Sequence, residues 1–247
     1  MSFLEQLRQH YPSVDFPADK EQRCRYYYDN PYFSWSDAII YSCIIRAHEP
    51  RHIIEIGAGY STACALDTLD AAGLSSHLLC IDPDPARLRS LLRSDDQTRC
   101  EIVSSRVEAL SEELLTRISA LTAGDIFFVD SSHVSKAGSD VNFIIHKLLP
   151  QLQPGVLIHF HDVFHNFEYP EKWIAEGVEF SEQYLLRSFL QYNEAFRIIL
   201  MTDWMERHHR DWYAQHMPDC LRLHERDERG KFVEGIRGQS LWMTRKE

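Results

Sequence analysis

Short apolar runs alternate with longer amphipathic runs along most of the chain. The runs rich in β-branched and aromatic residues predict seven strands, at 51–56, 77–81, 100–103, 125–129, 156–160, 196–200 and 240–244. The runs with apolar positions three and four residues apart predict helices at 36–48, 62–72, 85–93, 107–121, 139–149 and 181–192. Strands that alternate with helices indicate an α/β fold, in which helices cover both faces of a parallel sheet.

The pattern changes at two places, and these set the expected domain organisation. Residues 1–35 precede the first core helix and include the aromatic run Tyr26-Tyr27-Tyr28, so we expect an N-terminal extension or lid there. Residues 36–247 are long enough for one large domain but short for two. Within that domain, residues 203–235 are dense in charges of both signs, and we expect a helical insertion or cap.

Composition narrows the classes of partner. The formal net charge is −11, which disfavours nucleic acid, because binding a phosphate backbone requires clustered Lys and Arg. No segment is apolar for long enough to span a bilayer, so no membrane partner is expected. The first residues lack the uninterrupted apolar run of a signal peptide, and the cytoplasm is therefore the expected location.

A glycine turn follows the first core strand and opens into a helix. In Gly57-Ala58-Gly59 the missing side chains let a ligand approach the backbone, and the helix start suits a carboxylate or phosphate. A plain strand-to-helix turn has the same pattern. Asp82 ends the second strand, where an acid can accept both hydroxyls of a ribose, whereas Thr62 replaces the glycine expected beneath a pyrophosphate. A nucleoside-like ligand is therefore favoured over a dinucleotide.

Polar residues follow the fourth and fifth strands, where ligands of open parallel sheets bind. Asp130 and His133 follow the fourth strand, and His161 and Asp162 follow the fifth. Histidine can accept a proton near neutral pH, although His133 could equally orient its loop through a structural hydrogen bond. His159, His161 and Asp162 could form an iron site, but adjacent strand residues point to opposite faces, which disfavours it.

Several motifs occur in order at the ends of these strands. They are Ile54-Glu55-Ile56-Gly57-Ala58-Gly59, Ile81-Asp82-Pro83, Phe128-Val129-Asp130-Ser131-Ser132-His133, Pro154-Gly155-Val156 and His161-Asp162-Val163-Phe164. Together they resemble the class I methyltransferases, and within them the branch of macrocin-type and other small-molecule O-methyltransferases. The resemblance covers roughly residues 36–200 and the last strand. It implies a Rossmann-like, seven-stranded, mostly parallel sheet whose last strand is antiparallel.

The resemblance also implies S-adenosylmethionine as cofactor and a role for each motif residue. The implied cofactor-binding residues are Glu55, Gly57, Ala58, Gly59 and Ser61 for the methionine part, Asp82 for the ribose, Ser105 and Arg106 beside the adenine, and Asp130 next to the methyl donor. Ser61 stands where many members have a third glycine. Some members bind Mg²⁺ through two aspartates that match Asp130 and Asp162. Val163 replaces a further carboxylate or amide, so the pattern allows Mg²⁺ without requiring it.

The expected activity is O-methylation of a small hydroxylated molecule, such as a saccharide or a secondary metabolite. In that reaction a base removes the proton of the hydroxyl. His133 is the first candidate for this base and His161 the second, and Asp130 is the third predicted catalytic residue. Two alternatives stay open: a methyltransferase-like domain that binds without turnover, and, less favoured, an NAD(P)-dependent oxidoreductase. The acceptor and the number of chains are undetermined, a homo-oligomer being one option.

Overall fold

A seven-stranded sheet lies at the centre of the computed structural model, which describes residues 2–33, 35–223 and 237–246. The strands are β1 His52–Ile56, β2 His77–Ile81, β3 Cys100–Val103, β4 Ile126–Val129, β5 Leu157–Phe160, β6 Phe196–Met201 and β7 Leu241–Arg245, in the order β3-β2-β1-β4-β5-β7-β6. The first five pair in parallel, whereas β7 lies antiparallel between β5 and β6. The predicted fold class is confirmed, and each predicted strand is found to within one residue.

Helices cover both faces of this sheet. Within the described residues they are α1 Phe3–His10, α2 Trp35–His48, α3 Tyr60–Ala72, α4 Ala86–Leu91, α5 Glu112–Ser119, α6 Asp140–Phe143, α7 Glu171–Ala175, α8 Glu182–Leu190, α9 Thr202–His208 and α10 Arg210–His216. None of these described helices is long and apolar enough to cross a membrane. The helix predicted at 107–121 is shorter than expected, because Ser111 caps α5 by accepting a hydrogen bond from the Leu114 N–H.

Each face of the sheet has its own apolar core. On one face, α2 and α3 pack through Ile39, Ile44 and Leu66. On the other, α5, the π-helical continuation of α6 at Ile144–Leu148, and α8 supply the apolar side chains. The central strand β4 is apolar and buried along its whole length, as expected for a strand covered on both sides.

The N-terminal segment packs into the first of these cores. Tyr26 and Phe33 are buried against α2 and α3. The buried Arg25 guanidinium donates hydrogen bonds of 2.7 Å to each of three carboxylates, those of Asp67, Asp70 and Asp96. The segment is therefore anchored to α3 by charge as well as by apolar burial, while its expected role as a lid stays a prediction.

The segment between β6 and β7 is helical over its described part. It contains α9, α10 and a turn at Pro218–Leu221, with Tyr213 and Met217 buried in the same core as α2. The Tyr11 hydroxyl also donates a hydrogen bond to Asp219, which joins this segment to the N-terminus. Residues 224–235 of the expected insertion lie outside the described residues.

Removing the Arg25 charge is expected to destabilise the fold strongly. The variant Arg25→Met leaves the buried carboxylate of Asp67 without its cation and that of Asp96 with only the more distant Arg99, which should lower the free energy of unfolding by about 3–5 kcal/mol. Urea denaturation followed by circular dichroism measures this. The control Arg23→Met removes only exposed ion pairs, with Glu21 and Asp15, and should leave the midpoint unchanged. Equal midpoints for the two variants would contradict the anchoring role.

Candidate active site

Two adjoining cavities open at the carboxyl ends of β1, β2, β4 and β5. One, of about 330 Å³, is lined by the turn at 57–61, by Asp82, Asp130, Ser131, His133, His161 and Asp162, and by the aromatic side chains of Tyr32, Phe33 and Trp173. The other, of about 420 Å³, is lined by Asp82, Pro83, Ser105, Arg106 and Asp140. They share Gly57, Asp82, Asp130 and Ser131, so one elongated ligand could extend through both. Most of the predicted site residues therefore lie around one space.

The turn after β1 is shaped by Gly57. Its φ is +78°, and a Cβ on this residue would lie 1.8 Å from the backbone carbonyl oxygen of Asp130. The Gly57 N–H donates to the Ile81 carbonyl, and the Asp130 N–H donates to the Ile56 carbonyl. The turn is therefore held between the ends of β2 and β4 at a distance that only glycine permits.

Glu55 lies behind this turn and does not line either cavity. Its buried carboxylate accepts hydrogen bonds from the hydroxyls of Ser61 and Thr62, and the Thr62 oxygen in turn accepts the Gly59 N–H. Burial raises the pKa of Glu55 to about 8, although both hydroxyls oppose the shift. Glu55 thus holds the start of α3 in place from behind the turn, and Ser61 reaches the cavity wall.

Asp82 lies where the two cavities meet. Its carboxylate accepts hydrogen bonds from the Ala58 N–H at 3.0 Å and from the Asp84 N–H at 2.8 Å, which orients it toward the turn. Ser105 and the exposed Arg106 follow β3 and line the second cavity. The structure thus brings the three residues to the same side of the site, as the resemblance implied.

His133 lies among three carboxylates. Its Nδ1 is 2.9 Å from Glu182 Oε2, and its Nε2 is 3.1 Å from Asp130 Oδ1 and 3.3 Å from Asp162 Oδ2. The His133 carbonyl accepts the N–H groups of Ser181 and Glu182, so the start of α8 docks onto this loop. Glu182 therefore fixes both the position of the loop and the orientation of the imidazole.

His161 lies on the other side of the same aspartates. Its Nδ1 is 3.4 Å from Asp162 Oδ1 and 3.8 Å from Asp130 Oδ1, and its Nε2 is 3.6 Å from Asp37 Oδ2. The ring is buried beside Phe33, with 5.5 Å between the ring centroids. Among the described residues, Asp130, His161 and Asp162 form a group whose ligand atoms all lie within 4.8 Å of one another.

The charges in this cluster depend on one another. Burial opposes a positive charge on His133, but Asp162, Asp130 and Glu182 raise its pKa well above the usual value. Burial also opposes a charge on His161, but Asp162, Asp130 and Asp37 raise its pKa to about 9. Burial would raise the pKa of Asp130, yet the charges of His161 and His133 lower it to about 2. These shifts favour the charged forms of His133, His161 and Asp130, whereas burial raises the pKa of Asp162 and of Glu182.

The backbone is strained at two of these residues. His133 has φ +58° and Asp162 has φ +57°, in the left-handed region that non-glycine residues rarely adopt. Each such residue costs on the order of 1 kcal/mol. Because the unusual backbone brings both side chains to the same cavity, the strain serves the arrangement of the site.

His159 does not join the cluster. Its Nε2 is 2.8 Å from the Ser240 hydroxyl, and its ring stacks on Phe128 in the core with 3.7 Å between the ring centroids. Burial lowers the pKa of His159 well below its usual value, so the ring is neutral. The group of His159, His161 and Asp162 considered for iron is therefore not brought together by the fold.

Sequence reasoning missed two acids of this site. Glu182 is the first residue of α8, where an acid is also typical of a helix start. Asp37 is buried in the first turn of α2, and its carboxylate accepts the Thr202 hydroxyl and the N–H groups of Gln239 and Ser240. A charged residue beside the apolar run of α2 was the available signal, but a helix-capping role explained it equally well.

Comparison with known proteins supports the resemblance drawn from the motifs. Residues 54–163 match the family model described as a methyltransferase domain. A 69-residue stretch is 33% identical to an uncharacterized protein from Archaeoglobus fulgidus. The stretch covers 27% of this chain and 31% of that relative's length.

Solved structures with a similar fold include two complexes with SAM. One is CmcI with Mg and SAM, at 15% identity and a TM-score of 0.48, covering 97% of this chain and 84% of that one. The other is the O-methyltransferase TomG from Streptomyces achromogenes, involved in tomaymycin synthesis, in complex with SAM. It has 12% identity and a TM-score of 0.47, and the match covers 99% of this chain and 89% of that one.

Substitution of Gly57 should disrupt the site through its backbone. In Gly57→Ala the new Cβ cannot avoid the Asp130 carbonyl and also disfavours the positive φ, so stability should fall by about 3 kcal/mol. The control Gly59→Ala places a Cβ 3.1 Å from the flexible Arg87 side chain, which can move, and should cost about 1 kcal/mol or less. Thermal and urea unfolding of both variants measures the difference. A Gly57→Ala protein as stable as Gly59→Ala would refute this account of the turn.

Proposed function

We propose, from the methyltransferase domain that residues 54–163 match, that this chain is an S-adenosylmethionine-dependent methyltransferase acting on a hydroxyl of a small molecule. One observation carries the proposal. Asp130 lies where the cavity lined by Asp82, Ser105 and Arg106 meets the cavity lined by His133, His161 and Asp162. Adenosine would occupy the cavity beside Ser105 and Arg106, and the sulfonium would face Asp130 at the junction.

The cofactor's charges suit this placement. The methionine carboxylate would lie by the start of α3, where free N–H groups and the helix dipole favour an anion. The sulfonium is a cation, and the Asp130 carboxylate, which is ionised and partly exposed, would stabilise it. Thr62 supports this cofactor over a dinucleotide, because its hydroxyl bonds Glu55 at the position where a pyrophosphate turn needs glycine.

His133 is the proposed base, with Glu182 as its positioning residue. A hydrogen bond from Nδ1–H to Glu182 leaves Nε2 facing the cavity beside Asp130, where it can receive the proton of an acceptor hydroxyl. The surrounding carboxylates favour the protonated form of His133, which cannot accept a proton. The ring can therefore act as a base only when a positive charge nearby offsets the charge of these carboxylates. A sulfonium next to Asp130 would provide such an opposing positive charge.

The residues present fit a divalent cation. Asp130 and Asp162, the predicted ligands of Mg²⁺, are joined by His161 in a group with converging ligand atoms. A cation bound there would lower the pKa of an acceptor hydroxyl and orient it. Asp130 and Asp162 would hold the ion, while the aromatic wall of Tyr32, Phe33 and Trp173 would bind the apolar part of a small acceptor.

Cofactor binding is the first test of this proposal. Calorimetry should detect binding of S-adenosylmethionine and of S-adenosylhomocysteine. The variant Asp82→Ala should weaken both by tenfold or more, because a hydrogen-bonded carboxylate at a ribose contributes about 1.5–3 kcal/mol. The control Asp84→Ala removes an exposed neighbouring acid and should bind like the wild type. A folded wild-type protein that binds neither compound overturns the proposal, and binding of NADH instead would favour an oxidoreductase.

Loss of the base should reduce turnover without weakening cofactor binding. In His133→Gln, kcat should fall by about 10²- to 10⁴-fold, the range typical of a lost general base, while S-adenosylhomocysteine affinity stays the same. The exposed His146 serves as the control in His146→Gln, which should keep full activity. Unchanged kcat in His133→Gln would exclude this base. If the cellular role survives both His133→Gln and Asp130→Ala, the chain is instead a binding domain without turnover.

A further inference from the structure

The candidate cation group differs from an all-oxygen site because one of its three members is an imidazole. His161 Nδ1 is directed at the two aspartates, 3.4 Å from Asp162 Oδ1 and 3.8 Å from Asp130 Oδ1. Ligand atoms that share one ion at about 2.1 Å lie at most about 4.2 Å apart, so both spacings to His161 Nδ1 allow a shared ion. The ligand oxygens of the two aspartates lie within 4.8 Å of each other, so at most a small approach would bring them onto the same ion. We propose that this site takes a first-row transition-metal dication of the Mn²⁺ to Zn²⁺ series in preference to Mg²⁺, with His161 Nδ1 as a ligand and Asp37 as its positioning residue.

Asp37 supports the assignment of His161 as a ligand. Its Oδ2 lies 3.6 Å from His161 Nε2, the ring nitrogen that faces away from Asp130 and Asp162. Metal-bound histidines usually direct their second nitrogen toward a carboxylate or a carbonyl, which fixes the tautomer and makes the ligating nitrogen more basic. His161 Nε2 is buried and has no hydrogen-bond partner within the described part of the chain, so a small movement toward Asp37 would satisfy it.

The side chain of Asp37 is held in a fixed orientation by hydrogen bonds. Its carboxylate accepts the Thr202 hydroxyl at 2.9 Å and the Gln239 and Ser240 N–H groups at 3.0 Å. A buried carboxylate with fixed donors keeps its direction. The His161 ring is confined as well, between Phe33 and His159. The nitrogen that faces the aspartates is therefore oriented before any ion arrives.

The donor set decides the preference among ions. Mg²⁺ favours oxygen ligands in a regular octahedron and retains several waters, whereas imidazole nitrogen suits the later first-row dications. Replacing one oxygen ligand by a nitrogen therefore favours the transition metals. Two carboxylates balance the charge of a dication. The cavity beside them leaves room for water or an acceptor hydroxyl in the remaining coordination positions of the ion.

Mn²⁺ is a suitable probe because its binding and its ligands are both visible by electron paramagnetic resonance. With MnCl₂ alone added to the full chain, electron spin-echo modulation should show coupling to a directly bound ¹⁴N nucleus. Competition with MgCl₂ should give a Mn²⁺ over Mg²⁺ preference that falls at least tenfold in His161→Asn, where an amide oxygen replaces the nitrogen. The ¹⁴N coupling should disappear in the same variant. The exposed His146→Asn is the matched control and should change neither quantity.

A second variant tests the positioning role. Asp37→Asn should weaken Mn²⁺ binding about 10- to 100-fold while the ¹⁴N coupling persists, as expected for a residue that acts through the ligand. Wild-type protein that binds no Mn²⁺, or that binds it without ¹⁴N coupling, overturns the inference even if no variant folds. An unchanged Mn²⁺ over Mg²⁺ ratio in folded His161→Asn overturns it too.

The role of the ion in the reaction rests on the proposed function. The experiments above measure only whether and how the ion binds. The two can therefore fail separately. If ¹⁴N coupling is present but calorimetry finds no S-adenosylmethionine binding, the metal assignment stands and the methyltransferase proposal falls. If the cofactor binds and Mn²⁺ does not, the reverse holds.

Discussion

The balance of charge at the carboxyl edge of the sheet is the constraint on which the site depends. Four acids and two histidines, namely Asp37, Asp130, Asp162, Glu182, His133 and His161, meet there in a largely buried space. Burying isolated charges is costly, so each group is stable only in the presence of its opposites. The acids outnumber the histidines, and a site with this composition favours positively charged ligands. The proposed sulfonium and dication are both of that kind.

The fold provides this edge at the cost of local strain. Parallel pairing of β1, β4 and β5 places the residues that follow these strands along one edge of the sheet. Gly57 lets the chain turn after β1 in close contact with the backbone at the end of β4. The positive φ angles of His133 and Asp162 then aim two side chains back into the cavity. Compensation comes from elsewhere: α8 docks on the His133 carbonyl, and Arg25 secures the N-terminal segment that covers the opposite wall. Stability is thus gained in the backbone around the site and in the N-terminal segment.

Sequence patterns predicted the strands and the site residues that follow them, because both depend on local periodicity and on strand ends. Asp130, His133, His161 and Asp162 were expected near one another and lie near one another. Asp37 and Glu182 could not be found this way, because their contacts join residues far apart in the chain and their positions also suit helix starts. Glu55 is held behind the turn by hydrogen bonds from the hydroxyls of Ser61 and Thr62. Such hydrogen bonds cannot be predicted from the periodicity of the sequence.

The bonds from Asp37 to Gln239 and Ser240 have a consequence for how the chain is made. Asp37 belongs to the first core helix, while residues 239–240 lead into β7, the last strand, which supplies the antiparallel partner of β5. During synthesis, β5 therefore lacks its outer neighbour, and His161 lacks a fixed Asp37, until residues 239–240 and β7 have been added. Contacts of such long sequence separation form late and slow folding. A nascent chain that stops before residue 239 would therefore lack the complete pocket.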